Sequence, residues 1–595
     1  MKRLIFAFFL VGAFSMSGCA LKKMMKMADE QNLTVTPSPL EVHSDTVSFE
    51  VSATLPPKML KKDHIYAIDL EYQYNGQSVE LERIEFAAND FPNSNEESPR
   101  MTESFSFPYN DDIGNGNLVA QGVGISTKSG KELTSDELPI AEGLITTSQL
   151  VDKNFDVAYA DHGYNTGEEL EPTYVEFYFT QGSSYLRPSE RRSDRGDFLQ
   201  AFIAEKNVTR TVSITGTHSP EGPERINANL SENRAEVIEE WYRDMMERYD
   251  YKGAADEISF ILKDVVEDWT EFKEKLADYD EISQEQKSQI LEIVNGSGSF
   301  EEKEDALHRL PSYNQIFRDI YPELRAARTE ILTVMDKKSE AEISVLSKQV
   351  ANNQVDSDTL SIEEMMYGAT LTPSLSEKEA IYKSAASKAD SWNAHANLGG
   401  VYLQQAMGAG SQSQMNSLLE QATTQFELAN RKEENAASYI NLAIINMLQD
   451  NPVKAAELIE EAEGMTASTN TVTSALNQVK GIIEIARAEY DQAITSLARA
   501  EESAVNLYNK GLAHILSEDY QNATNALEDA IEMDDDYAWA YYALAIANAR
   551  MGDENDVYSN LTKAVSMVPD LRERALNDLE FRNVSGTDAF RNAIR

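Results

Sequence analysis

Hydrophobic and polar residues change rhythm twice along this chain. In the first stretch Val47, Phe49, Val51, Ala53 and Leu55 alternate with polar neighbours, as do Tyr66, Ile68, Leu70, Tyr72 and Tyr74. A period of two buries one face of a strand and leaves the other in water. Turn formers separate these stretches, at Asn93-Ser94-Asn95 and from Asp111 to Gly116. The second of these lacks the ligand spacing of a calcium loop and reads as a hairpin. The pattern predicts several short strands over 31–150, arranged as a β-sandwich.

Over 172–335 the two periods mix. Val175, Phe177 and Phe179 alternate, whereas Phe198, Leu199, Phe202 and Ile203 are spaced as on a helix. Val208, Arg210, Val212 and Ile214 alternate again, and a helix follows through Val237, Ile238, Trp241, Tyr242 and Met245. Strands at Ile258–Leu262 and Arg328–Val334 complete an α+β order. Between them, about 268–323 reads as an inserted helical segment, with Trp269, Phe272 and Leu276 on one face and Tyr313, Phe317, Ile320 and Tyr321 on another. Residues 336–374 read as a linker.

From about 375 onward the rhythm is helical throughout. A triple spaced four and then three recurs as Ala422/Phe426/Ala429, Ala455/Ile459/Ala462, Ala493/Leu497/Ala500, Ala523/Leu527/Ala530 and Val557/Leu561/Ala564. The first positions step by 33, 38, 30 and 34 residues. Each triple is preceded by a helix with a small residue: Gly399, Ala443, Gly481, Gly511 and Ala545. Residues 375–595 therefore form an all-α repeat array with a C-terminal cap.

Composition narrows the chemistry. Lys and Arg total 53 against 100 Asp and Glu, for a net charge of −47. That balance argues against a nucleic-acid partner, which needs clustered cations. One cysteine, Cys19, allows neither an internal disulfide nor a cysteine-based metal site. No two of the seven histidines share a helix turn, and neither a nucleophile elbow nor a phosphate loop is present. His218 and Ser219 are adjacent, and neighbours on a strand end point apart. No enzyme activity, cofactor or metal is expected.

The N-terminus carries an address. Lys2 and Arg3 precede an apolar run from Leu4 to Phe14, too short to span a bilayer, which ends in Met16-Ser17-Gly18-Cys19. This resembles the lipobox of bacterial lipoproteins. The resemblance implies that 1–18 is a signal peptide, that Cys19 is acylated, and that 19–30 is a lipid-anchored linker. Ala20 after the cysteine favours the outer membrane, and the basic run Leu21 to Lys26 favours its periplasmic face over surface exposure.

Two further resemblances bear on function. The strand ending in Gly216, with Gly222, Asn227, Leu230-Ser231, Arg234-Ala235 and the last strand from Arg328, resembles the OmpA-like domain family, whose typical ligand is peptidoglycan. That family uses an Asp and an Arg to hold the charged ends of a diaminopimelate side chain. Here Arg234 matches the Arg, but Ser219 stands where the Asp is usual, with Glu221 two residues on. The array over 380–570 resembles tetratricopeptide repeats, which implies a protein partner on the concave face; register alone nominates Asn446, Asn477 and His514. Together these imply an outer-membrane lipoprotein scaffold, touching peptidoglycan or an unidentified envelope protein within an envelope or secretion assembly. A surface adhesin or fimbria-accessory lipoprotein is the alternative, and a cell-wall enzyme ranks below both.

Overall fold

The computed structural model describes residues 20–110, 112–264, 269–465 and 469–595. Cys19 and residues 1–18, expected to be a signal peptide, lie outside the described residues. The chain divides into two compact units, one built from everything up to Gly163 together with Glu340–Arg595, the other from Tyr164–Ser339.

The first unit begins with a helix over 20–28, where a free linker was expected. Leu21, Met24 and Ala28 are buried, and Met24 and Ala28 join the core of the sheet that follows. Their spacing of three and four makes one apolar stripe, which is why this segment docks instead of dangling. Nine strands come next: β1 (Asn32–Thr36), β2 (Leu40–His43), β3 (Thr46–Thr54), β4 (His64–Tyr74), β5 (Gln77–Glu80), β6 (Ile84–Ala87), β7 (Arg100–Pro108), β8 (Gly116–Ser126) and β9 (Glu132–Ile145). They form one sheet in the order β1-β3-β2-β9-β8-β4-β5, with β6 beside β4 and β7 beside β3. β2 pairs antiparallel with β3 and parallel with β9, joining two wings. The alternating residues of β3 and β4 share one core, and Tyr72 of β4 stacks on Phe107 of β7 with centroids 5.2 Å apart. The expected sandwich is thus a single sheet folded over on itself at β2.

The helical part of this unit starts at Glu340–Ala351, inside the segment expected to be a linker. That helix and Ile362–Thr370 bury Ile343, Met365 and Met366, so 336–374 is largely part of the array. Helix pairs follow: Trp392–Met407 with Gln412–Lys432, Ala436–Leu448 with Pro452–Glu463, Asn470–Ala486 with Tyr490–Leu497, Ala504–Leu516 with Tyr520–Met533, and Ala538–Met551 with Glu554–Met567. This region resembles a tetratricopeptide solenoid. The small residues sit where paired helices cross: a Cβ on Gly511 would lie 2.6 Å from Leu527 Cγ, and one on Gly481 equally close to Leu497 Cγ.

Sheet and solenoid are not separate beads. Arg550 of the last pair binds Glu580 and reaches Glu41 of β2 at 3.0 Å, while Thr147 donates to Glu580 from the end of the sheet. Asn115 donates to the carbonyl of Asn577 at 2.7 Å.

The second unit holds β10 (Leu170–Tyr178), β11 (Thr209–Gly216), β12 (Ser259–Asp264) and β13 (Ala326–Val334) in the order β10-β13-β11-β12. β11 and β12 are parallel; β13 runs antiparallel to both β10 and β11. Helices Asp194–Glu205 and Glu224–Arg248 pack on this sheet through Leu199, Ile203, Ile238 and Trp241. Five helices from Thr270 to Leu324 occupy the predicted insertion and build a core of their own around Phe272, Ile290 and Tyr321. Among the described residues, no helix is long and apolar enough to cross a membrane.

The tight crossings set a testable cost. Gly511→Val adds a branched side chain where one carbon already overlaps Leu527, so stability should fall by about 1–3 kcal/mol. Chemical denaturation of the protein measures this, and an unchanged midpoint would show that the crossing is loose.

Candidate functional site

Four inner helices of the solenoid each present a buried amide side chain: Asn397, Asn441, Gln478 and Asn509. Residues 151–163, between the sheet and the second unit, have no regular secondary structure and cross these amides one after another. The Asp152 N–H donates to Asn509 Oδ1 at 2.9 Å, and Asn509 Nδ2 donates back to the Asp152 carbonyl at 2.9 Å. Asn441 makes the same two-bond ring with Ala158, at 3.0 and 2.7 Å, and Asn397 with Ala160, at 2.6 and 3.0 Å. Gln478 accepts from the Asp156 N–H at 2.6 Å. An extended chain turns the N–H and C=O of alternate residues to one side. A planar carboxamide has a donor and an acceptor at matching separation, so it pairs with such a residue as a neighbouring strand would.

Packing holds this strap down as well. Phe155 and Ala158 are buried in the solenoid core. Val157 and Tyr159 lie across Gly400, where a Cβ would sit 2.9 Å from Tyr159 Cε1. At the strap's start Tyr508 donates to the Leu150 carbonyl at 2.7 Å, and the Tyr537 hydroxyl donates to the Asp152 carboxylate.

The inner surface expected to receive a partner therefore already carries the chain's own backbone. The three residues nominated from register lie off this line. Asn446 and Asn477 donate back to the carbonyls of Leu442 and Thr473 in their own helices, both at 2.8 Å. His514 is buried 3.3 Å from the Asp519 carboxylate, and burial holds its imidazole below the usual range. Asn446 and His514 follow the true ladder residues by five positions, and Asn477 precedes Gln478 by one. On a helix of 3.6 residues per turn those offsets turn a side chain well away from the groove.

A second site lies within the other unit. Arg234 is 1% exposed. Its Nη1 donates to the Thr217 carbonyl at 2.7 Å and its Nε to the Ser183 carbonyl at 3.1 Å, while the guanidinium covers the Phe179 ring. Burial, with the nearby charge of Arg325, pushes its pKa down to about 10. Ser219 is also buried, and its Oγ accepts from Arg325 Nε at 2.8 Å. Arg325 binds Glu221 through Nη2 at 2.7 Å. Asn227 laces the loop together by donating to the carbonyls of Ser219, Glu221 and Gly222.

Arg234, Glu221 and His218 line a cavity of about 470 Å³, which Glu304, His308 and Tyr313 of the helical insertion close from the other side. Glu221 Oε2 and His218 Nε2 are buried there with no hydrogen-bond partner among the described residues. Glu304 accepts from the Tyr313 hydroxyl at 2.7 Å and from that of Tyr321, and burial pushes its carboxyl up to about 7. Two expectations need correction. Arg234 spends two of its five N–H donors on backbone carbonyls, so the side-on grip on a carboxylate through Nε is not available. Ser219 is spent on Arg325, and the carboxylate that faces the cavity is Glu221.

No family model matches the chain, and no curated protein matches it. Solved structures similar to parts of it include the APC/C hetero-tetramer Cut9-Hcn1, at 12% identity and a TM-score of 0.32 over 63% of this chain and 77% of that one. YrrB, a TPR protein with an unusual peptide-binding site, is 19% identical with a TM-score of 0.24 over 33% of this chain and 98% of its own. Yeast Tom70 is 14% identical with a TM-score of 0.25 over 60% and 77%. Likenesses this weak decide nothing; the solenoid rests on the helix pairing and crossings described above.

The ladder makes a direct prediction. Replacing Asn441 by Leu removes both bonds to Ala158 and leaves a buried N–H and C=O unpaired, at about 1–3 kcal/mol per orphaned group. Asn446→Leu, five positions on, removes a bond within its own helix and a long, exposed one from Asn451 at 3.5 Å. Thermal unfolding should show a large loss for the first and little for the second; equal losses would mean that the ladder carries no special weight.

Proposed function

We propose that the protein is a non-enzymatic scaffold of the bacterial envelope, held to the periplasmic face of the outer membrane by lipid on Cys19, whose second unit recognises peptidoglycan. The observation that carries this reading is the cavity of that unit. It places a guanidinium, Arg234, beside a carboxylate, Glu221, one of whose oxygens is buried without a partner. A buried acceptor left unpaired is costly and is relieved by a ligand that donates to it. Diaminopimelate carries an ammonium and a carboxylate on one side chain, so a cavity with both charges suits it. The OmpA-like resemblance supports the same assignment, with Glu221 taking the part of the usual Asp. The solenoid supports a scaffolding role, because it spends its inner surface on assembling its own chain into one rigid unit. That leaves contacts with partner proteins to surfaces other than the amide ladder.

Purified sacculi test the cell-wall claim directly. The mature protein should be retained on them, and Glu221→Gln should weaken retention about tenfold, because a neutral amide loses the charge-assisted bond while still accepting from Arg325. Wild type that fails to bind sacculi, or a variant that binds equally well, overturns the reading.

The anchor has its own test. Cys19→Ser should move the protein out of the outer-membrane fraction and abolish labelling by palmitate, since stable attachment needs the acyl chains. Unchanged fractionation and labelling would end the lipoprotein assignment.

A further inference from the structure

The strap in the solenoid groove has two edges, and the amide ladder uses one. Asp152, Asp156, Ala158 and Ala160 turn toward the helices. Val157 and Tyr159, which alternate with the last three, turn their N–H and C=O the opposite way. Among the described residues, no hydrogen bond uses the backbone N–H or C=O of Lys153, Val157 or Tyr159. Lys153 is exposed, and Val157 and Tyr159 are half-buried. An unpaired strand edge is a template for another strand.

What lies beside that edge sets the partner. Val157 and Tyr159 border a cavity of about 540 Å³ in the solenoid, which Tyr382 and Ser474 also line. Asp156, Glu501 and Glu502 line it, against a single cation, Lys378, whose ammonium lies 5.9 Å from the centre of the Tyr159 ring. Burial and the charge of Glu501 hold the Asp156 carboxyl above its usual range, which marks a pair of acids short of a counter-ion. A second copy of this chain, at a net charge of −47, is a poor occupant.

We propose that the free edge of the strap at Val157–Tyr159 is a docking site for an extended basic segment of a partner protein, which adds as a strand and sets lysine or arginine side chains against Asp156, Glu501 and Glu502. Main-chain bonds supply affinity in this mode, and the side chains on alternate positions supply selectivity. The site lies in a different unit from the cell-wall cavity and does not depend on that reading.

The test uses the mature full-length protein and a labelled heptapeptide of alternating lysine and valine, followed by fluorescence anisotropy. Its glutamate–valine counterpart should bind at least about tenfold more weakly, and so should the lysine peptide after N-methylation along one edge. The double variant Asp156→Asn, Glu501→Gln should lose about tenfold for the lysine peptide while keeping the wild-type melting temperature. Residue-resolved hydrogen exchange locates the contact. Peptide should slow the amides of Val157 and Tyr159 and leave those of Ala158 and Ala160, already bonded to the ladder, unchanged. Absence of binding, equal affinity for the two peptides, or indifference to N-methylation overturns the proposal. Faster exchange at Ala158 and Ala160 also overturns it, because the peptide would then be displacing the strap.

Discussion

A carboxamide closing a two-bond ring with one residue of an extended backbone is the contact on which the first unit depends. Each such bond contributes only about 1 kcal/mol net. Their larger effect is on register. Sliding the strap by one residue would turn Val157 and Tyr159 toward Asn441 and Asn397 and send every pairing group to the wrong side, so all the ladder bonds would fail together. Sliding by two would restore the pairing but draw Phe155 out of the core it shares with the solenoid. Hydrogen bonds fix the parity of the strap, and one aromatic ring fixes its position.

The ladder explains why sheet and solenoid form one unit even though 176 residues, Tyr164–Ser339, intervene between them in sequence. The strap leaves the sheet at Leu150, and Tyr508 and Asp152 tie its start to the fourth amide-bearing helix. A second clasp lies at the far end of the array, where Arg550 sits between Glu580 and Glu41. Removing Arg550 from this partly buried network strands the buried Glu580 carboxylate, and that loss exceeds what forming the network contributes. Clasp and strap therefore act more as specifications of one arrangement than as stores of stability. In chain order the strap precedes the second unit and the helices of the groove follow it.

Much of this was legible in the sequence, and what was missed has a physical cause. The alternation in β3 and β4 and the five triples of the solenoid were plain because a single periodicity controlled each. The helix over 20–28 and the one at Glu340–Ala351 were passed over as linkers because short amphipathic stripes next to charged residues resemble solvated chain. The groove residues carried a readable signal that was not used. Asn397, Asn441 and Asn509 each precede by two the small residue at a helix crossing, Gly399, Ala443 and Gly511. An amide repeating in that register is not needed for helix packing and has to serve something on the inner face. The strap is hard to read because its period of two, Phe155, Val157 and Tyr159, lasts only five residues; its extended form is held by the helices it crosses. In the second unit Ser219 lies in the loop after β11 and Arg234 on the helix that follows. Sequence could not show that Arg325, more than a hundred residues on, would claim Ser219 and share Glu221.

Filling a solenoid groove with the protein's own chain changes what the groove can do. A tethered strap acts at an effective concentration near the millimolar range, far above what a free protein segment reaches. A competitor for the amides would also have to match the parity of the bonds and the Phe155 socket, so the ladder is closed to exchange under ordinary conditions. Occupation nevertheless converts the surface instead of eliminating it. A row of side-chain amides accepts one strand in one register, and once that strand is in place it presents a second row of main-chain donors and acceptors toward the acidic interior of the solenoid. Recognition then passes from side chains on four helices to a single backbone edge, which is less demanding of sequence and more sensitive to charge. A solenoid built this way keeps a rigid inner surface while leaving selectivity to the few carboxylates that flank the strap.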